Sequence, residues 1–326
     1  MQKPKTINWG IIGLGKIANK FAQDLINLEH VQLYAVASRN QEKANDFAKL
    51  YNAKVAYDSY QALAEDSNID AVYIATPHVF HKAHTILCLN HSKAVLCEKP
   101  FAMNYHEVQE MIATAKAKKT LLMEALWTYF LPHYQLVLQH ITNETFGKII
   151  KIEADFGFQP EIDLSSRVFK KSLGGGSLLD IGIYPIFAAL STLGKPIHIE
   201  SKATFFDNEV DSSCLMVFSY NNGVEAHLKS TLLKNTPTEA IFHCKKGTIK
   251  INSRFQEPTN VTLISEEKER TINFDYSTNG YSFEIEHFNE LIRQEKTESD
   301  VMTFAFSRDL IELLDTVRSQ IGLKYE

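Results

Sequence analysis

The stretch that most constrains this chain is INWGIIGLGKIA at residues 7–18. An apolar run containing Ile7, Trp9, Ile11 and Ile12 gives way to Gly13, Gly15 and Ala18, and then to helix-compatible sequence. That change of period predicts strand, turn and helix. The first glycine makes the tight turn, the second admits the close approach of a pyrophosphate, and the small Ala18 lets helix pack on strand. The orphan N–H groups at the helix start then face an anion, so Gly13, Leu14, Gly15, Lys16, Ile17 and Ala18 form the candidate dinucleotide loop. Glycines also mark ordinary loops, so the motif needs its surroundings to be read.

Those surroundings are VQLYAVASR at 31–39, a second buried strand after a helix expected over 17–28. An NAD site places an acid about twenty residues beyond the fingerprint, whereas this chain has Ser38 and Arg39 there. A guanidinium pairs with a ribose phosphate and a serine hydroxyl adds a shorter hydrogen bond, so NADP is expected ahead of NAD. The plain alternative for Arg39 is a solvated surface cation, with Glu42, the nearest acid, serving the following helix.

At 326 residues, with 44% apolar and 22% charged side chains, the chain is long enough for two domains. It has no apolar run that spans a bilayer, and its polar opening MQKPK lacks a secretory pattern, so the cytoplasm is the expected compartment. A net charge of −5 gives no reason to expect nucleic acid or an anionic membrane as partner. Cys88, Cys97, Cys214 and Cys244 form no CxxC pair and read as buried reduced thiols. His78, His81 and His84 repeat every three residues, but without HExxH or thiolate spacing no metal is expected; they read as polar groups near a cofactor or on a helix surface.

Along the chain, helical periodicity recurs at 41–50 and 59–65, and IDAVYIATPH at 69–78 is a further core strand. Thr76, Pro77 and His78 fall at its carboxyl end, where an open α/β sheet binds ligands; a loop-capping role for His78 is equally open. A helix over 80–91 leads to KAVLCEKPFA at 93–102, whose apolar run delivers Glu98 and Lys99 to the same rim. Lys99 can orient a substrate oxygen and support proton transfer, and Glu98 can orient Lys99 or contact the nicotinamide ribose. An ordinary surface ion pair is the alternative. A helix at 106–118 and a short strand at 121–126 complete this part, which predicts a dinucleotide domain over 1–124 and a second domain over 125–326.

The second part opens on the aromatic WTYFLPHY and a helix near 133–142, and then turns strand-rich. Candidate strands at 147–158, 197–206, 213–220, 224–232, 238–244, 247–252, 259–264 and 270–274 favour a broad, largely antiparallel sheet, with helices at 176–193, 281–295 and 300–320. Within SSRVFKKSLGGGSLLDIGIYP at 165–185, Asp180 and Tyr184 are four apart and share one helical face. Tyr184 can remove or relay an alcohol proton and Asp180 can accept a substrate hydroxyl; helix packing and local capping are the alternatives.

GLGKIA at 13–18, EKP at 98–100 and DIGIYP at 180–185 together resemble the Gfo/Idh/MocA family of NAD(P)-dependent oxidoreductases, over nearly the whole chain. MEALW at 123–127 and the 165–185 stretch are similar to its dihydrodiol dehydrogenase and NADP-dependent D-xylose dehydrogenase branch. The resemblance implies an α/β architecture: an N-terminal Rossmann-type domain, then a C-terminal α+β domain on a large, mainly antiparallel sheet through which homodimers form. It makes Lys99 and Tyr184 the catalytic pair. Close members often read WTRF where this chain has WTYF, so Tyr129 departs from an arginine-bearing pattern, while Trp127 and Phe130 remain candidates for an apolar substrate wall. The implied reaction is reversible hydride transfer between nicotinamide and a carbon bearing a hydroxyl. The sequence reading prefers an aldose such as D-xylose, oxidised to its lactone, with a trans-1,2-dihydrodiol second. A non-catalytic, cofactor-sensing regulator is the contrasting class.

Overall fold

A computed structural model describes residues 5–161, 163, 166–266 and 268–325. Residues 1–4 of the MQKPK opening and Ser165 lie outside the described residues. The described chain divides into two compact units, at Trp127/Thr128, with Tyr276–Arg308 returning to the first.

The first unit is a six-stranded parallel sheet of β1 (Ile7–Ile12), β2 (Val31–Ala37), β3 (Val55–Tyr57), β4 (Ala71–Ile74), β5 (Ala94–Glu98) and β6 (Leu122–Ala125). Its order, β3-β2-β1-β4-β5-β6, is the doubly wound arrangement expected from the glycine motif. Strands β4, β5 and β6 are buried along their whole length, as strands covered on both faces must be. The intervening helices are α1 (Lys16–Leu25), α2 (Gln41–Tyr51), α3 (Tyr60–Glu65), α4 (His81–Asn90) and α5 (Tyr105–Lys118). Asn40, Ser59 and Asn104 cap α2, α3 and α5 through their side chains; α1 starts on Gly15 with no such cap. The strand order reverses between β1 and β4, so ligands of this sheet belong at the carboxyl ends of the strands flanking that point.

The second unit carries α6 (Pro132–Thr142), β7 (Ile149–Gly157), α7 (Ile183–Leu193), β8 (His198–Phe205), β9 (Asp211–Ser219), β10 (Glu225–Thr231), β11 (Ala240–Cys244), β12 (Gly247–Ile251), β13 (Val261–Ile264) and β14 (Glu269–Ile272). The sheet runs β14-β13-β12-β11-β7-β10-β9-β8, and every neighbouring pair is antiparallel except β7 with β10. Helix α7 packs on that parallel pair. The stretch Lys171–Leu193 is long and apolar enough to cross a membrane, yet nearly all of its apolar window is buried in the core of this unit.

The return segment contains α8 (Tyr281–Arg293) and the start of α9 (Phe304–Gln320), within which the division between units falls. Helix α8 begins on Gly280, which has no side chain to cap it, and Asp24 of α1 supplies the cap instead. Asp24 is 1% exposed and accepts the backbone N–H groups of Asn279 at 2.9 Å, Tyr281 at 2.8 Å and Ser282 at 3.3 Å. Trp9 of β1 donates its indole N–H to Asn289 of α8 at 3.0 Å, and the rings of Trp9, Phe21, Tyr73, Phe288 and Tyr281 pile against one another.

Candidate active site

At the head of β1 the glycine turn is fixed by sterics. Gly13 has φ +90°, and a Cβ there would lie 2.8 Å from the Ala75 carbonyl and from Thr76 Cγ2, so only glycine lets β1 close against the end of β4. Gly15 faces open space, with nothing within 4 Å of the position its Cβ would take. The start of α1 therefore has no side-chain cap, and its N–H groups and dipole fit the pyrophosphate of a dinucleotide. Leu14 and Ala18 are buried beneath this turn, while Lys16 and Ile17 are exposed.

The neighbouring strand ends contribute the other expected residues of the first unit. Ser38 is buried, its hydroxyl accepting the Asn40 N–H at 3.2 Å, and Arg39 is exposed beside it. Of the three histidines, His78 is buried, His84 bonds Thr76 Oγ1 through Nδ1 at 3.1 Å, and His81 lies wholly inside. Its Nδ1 meets the Pro100 carbonyl at 2.9 Å and its Nε2 the Thr76 carbonyl at 2.8 Å. Its two ring nitrogens thus face carbonyls from both sides, which ties the loop after β4 to the loop after β5. Pro77 precedes the short turn that carries His78. Among the described residues no cluster of His, Cys, Asp or Glu could hold a metal ion, and the four cysteines are buried free thiols.

Glu98 closes β5 with 9% exposure and accepts the hydroxyl of Tyr73 and, at 3.2 Å, the Lys99 N–H. Lys99 follows half-buried, joined to Pro100 by a cis peptide bond. Two acids that sequence reasoning left unassigned lie behind this rim. Glu124 of β6 accepts the Phe101 N–H at 3.0 Å, and burial pushes its carboxyl up to about 8. Glu284 of α8 is fully buried, and among the described residues neither oxygen has a hydrogen-bond partner; burial first, then the charges of Glu98 and Asp24, raise it well above the usual carboxylate range. Glu124 was visible within MEALW, whereas nothing local marks Glu284. Trp127, 5% exposed, stacks on Tyr281 at 4.4 Å.

In the second unit the turn Gly174–Gly176 leads through a π-helical turn, Leu178–Gly182, into α7. A Cβ on Gly176, whose φ is +119°, would lie 1.9 Å from Asp211 Oδ1. The buried Asp211 accepts Ser177 Oγ at 2.8 Å and the Leu178 N–H at 2.7 Å, and burial raises its carboxyl to about 7. Tyr325 donates to the Gly175 carbonyl at 3.0 Å, closing the turn from the other side. Asp180 and Tyr184, 7% and 5% exposed, project from the π turn and the first turn of α7. Asp180 is held by Arg167 at 2.8 Å, a partner thirteen residues away that spacing alone does not reveal. The Tyr184 ring lies 5.7 Å from Phe156. Phe130 is half-buried beside Tyr129, whose ring packs edge-on to Phe187 at 5.2 Å.

Thus Gly13–Ala18, Ser38, Arg39, Thr76, Pro77, His78, Glu98 and Lys99 gather around the strand ends of the first unit, which also holds Trp127, while Asp180, Tyr184 and Phe130 belong to the second. Residues 7–126 match the oxidoreductase family with an NAD-binding Rossmann fold, and residues 134–250 match the GFO/IDH/MocA C-terminal domain. The chain is 36% identical to the trans-1,2-dihydrobenzene-1,2-diol dehydrogenase of Xenopus tropicalis, over 97% of this chain and 98% of that one.

The chain belongs to the Gfo/Idh/MocA family. It is an NAD(P)-dependent dehydrogenase acting on CH–OH groups. Its relatives in the family include the scyllo-inositol 2-dehydrogenase (NADP(+)) of Bacillus subtilis, 33% identical over 98% of both chains. Among solved structures, the 3-ketoreductase KijD10 of Actinomadura kijaniata, in complex with NADP and TDP-benzene, superposes with a TM-score of 0.88 at 25% identity, covering 97% of this chain and 98% of that one.

Proposed function

We propose that the protein is an NADP-dependent dehydrogenase of trans-vicinal diols on six-membered carbocycles, oxidising one secondary CH–OH of a trans-1,2-dihydrodiol. The full-length similarity to trans-1,2-dihydrobenzene-1,2-diol dehydrogenases carries this reading, and the similarity to a dehydrogenase of scyllo-inositol, another six-carbon ring bearing vicinal hydroxyls, supports it. The preference for D-xylose drawn from sequence motifs yields accordingly to the dihydrodiol. Arg39 and the lack of an acid at the end of β2 support NADP ahead of NAD.

The uncapped first turn of α1 receives the pyrophosphate, Ser38 and Arg39 the ribose phosphate, and Thr76, Pro77, His78 and Glu98 line the remaining path of the dinucleotide. When bound, the nicotinamide supplies the hydride acceptor. Tyr184 takes the hydroxyl proton, and the Lys99 ammonium favours the phenolate that does so. Asp180 accepts the neighbouring hydroxyl, and its pairing with Arg167 fixes the carboxylate for that task. Trp127 and Phe130 give the ring an apolar face. Residues 1–124 serve the dinucleotide and 125–326 the substrate and a homodimeric contact through the second-unit sheet, in a cytoplasmic enzyme.

Removing two hydrogens from trans-1,2-dihydrobenzene-1,2-diol leaves a hydroxyketone that tautomerises to catechol. The test uses this diol deuterated at its carbinol carbons with purified protein and NADP+. Catechol and deuterium in the reduced nicotinamide are expected; reduced nicotinamide without deuterium, or no catechol, contradicts the reading.

A further inference from the structure

Asp211, the first residue of β9, is 0% exposed, yet it has no part in the dinucleotide and substrate contacts proposed above. Its Oδ2 takes two donors, the Ser177 hydroxyl at 2.8 Å and the Leu178 N–H at 2.7 Å. Ser177 is tied in turn to Ser230 of β10, their hydroxyl oxygens 3.0 Å apart. Oδ1 has no hydrogen-bond partner among the described residues and lies against Gly176, where a Cβ would stand 1.9 Å from it. One carboxyl therefore holds three consecutive residues, 176–178, at the point where the chain enters the π turn. Burying a carboxyl costs stability that an apolar side chain of the same size does not, so filling space alone is a poor account of it.

Both members of the Arg167–Asp180 pair depend on that point. Leu178 opens the π turn that carries Asp180 two residues further on. Gly176 donates its N–H to the Val168 carbonyl at 2.9 Å, which fastens the backbone beside Arg167 to the same turn. The guanidinium then meets Asp180 Oδ1 at 2.8 Å. A carboxylate already fixed in direction gives up less freedom when it accepts a hydroxyl. We propose that Asp211 is the positioning residue that fixes the Arg167–Asp180 pair for the substrate hydroxyl next to the one oxidised. This rests on the assignment of Asp180 to that hydroxyl made above. Asp211 acts through the turn and needs no contact of its own with substrate or cofactor.

The test is steady-state kinetics on trans-1,2-dihydrobenzene-1,2-diol with NADP+, alongside direct NADPH titration. Asp211→Ala should raise the diol KM about 3–10-fold, the scale of one lost hydrogen bond, with kcat and the NADPH Kd within about twofold of the parent. Asp211→Asn keeps an oxygen for both donors and should bring the KM back to within about twofold of the parent. Ser177→Ala removes one of the two bonds and should show the same split at about 2–3-fold, which serves if Asp211→Ala does not fold. An unchanged KM, a fall in kcat as large as the rise in KM, or no rescue by asparagine overturns the proposal. In an Asp180→Asn background Asp211→Ala should add nothing to the KM; a persisting rise means that Asp211 acts without Asp180 and also overturns it. Asp180→Asn alone separates the two readings. If it raises the KM while Asp211→Ala does not, the positioning role fails and the substrate contact of Asp180 stands; if it leaves the KM unchanged, that contact fails as well.

Discussion

Tyr184 is 5% exposed in the first turn of α7, which suits a phenol whose proton is exchanged with a substrate away from bulk water. Tyr184→Phe should slow single-turnover hydride transfer roughly 10²–10⁴-fold, the usual worth of a positioned proton acceptor, while leaving NADPH affinity within about twofold. Unchanged transfer would remove Tyr184 from the chemistry. Glu124 offers a test by pH. Burial raises its folded-state pKa from 4.5 to about 8, so the folded protein keeps a proton that the unfolded chain releases. Its contribution to stability is full below 4.5 and is lost as pH rises through about 8, at most about 5 kcal/mol across that window. Urea unfolding of Glu124→Gln should show a flatter decline between pH 5 and 8 than the parent; parallel declines would contradict the assignment. The candidate site residues named from sequence, such as Lys99 and Asp180, sit inside local patterns: an apolar run ending in EKP, or an i, i+4 pair. Arg167 and Glu284 were not, because the Asp180 that Arg167 pairs with and the burial that raises Glu284 are brought about only by the fold.

Elements were legible where they are long and periodic, and lost where they are short or distorted. The three-residue β3 is half-buried throughout and too brief to show alternation, so it was not foreseen. The helix expected from 176 begins instead as a π turn, a change in hydrogen-bonding register that hydrophobic spacing does not encode. The return of residues 276–308 to the first unit was likewise hidden, since it depends on Asp24 and Trp9 reaching partners more than 250 positions away. Asp24 caps a helix whose own N-cap residue, Gly280, has no side chain to do so. Asp24→Ala should cost about 1–3 kcal/mol, as a lost cap and unsatisfied buried N–H groups require. It should also speed hydrogen exchange at 279–282 and along α8 more than along β1. Unchanged exchange in α8 would show that the segment is held by its aromatic contacts alone.

For the whole molecule, the order of apolar runs and turn signals announces two sheets of different type, because parallel strands buried on both faces and close-set antiparallel strands leave different patterns. The eight-stranded sheet carries exposed apolar side chains, among them Ile150, Phe205 and Leu215, consistent with the homodimer proposed through it. Light scattering should give twice the 37.0 kDa chain mass. A single-chain mass held across a wide concentration range would reject that assembly. Fold and family leave the substrate to the side chains, so the account turns on which hydroxyl is oxidised. The most direct measurement is kcat/KM with NADP+ for trans-1,2-dihydrobenzene-1,2-diol and D-xylose under one set of conditions. The diol should exceed D-xylose by tenfold or more, about 1.4 kcal/mol in transition-state binding; equal or faster oxidation of D-xylose would contradict the account.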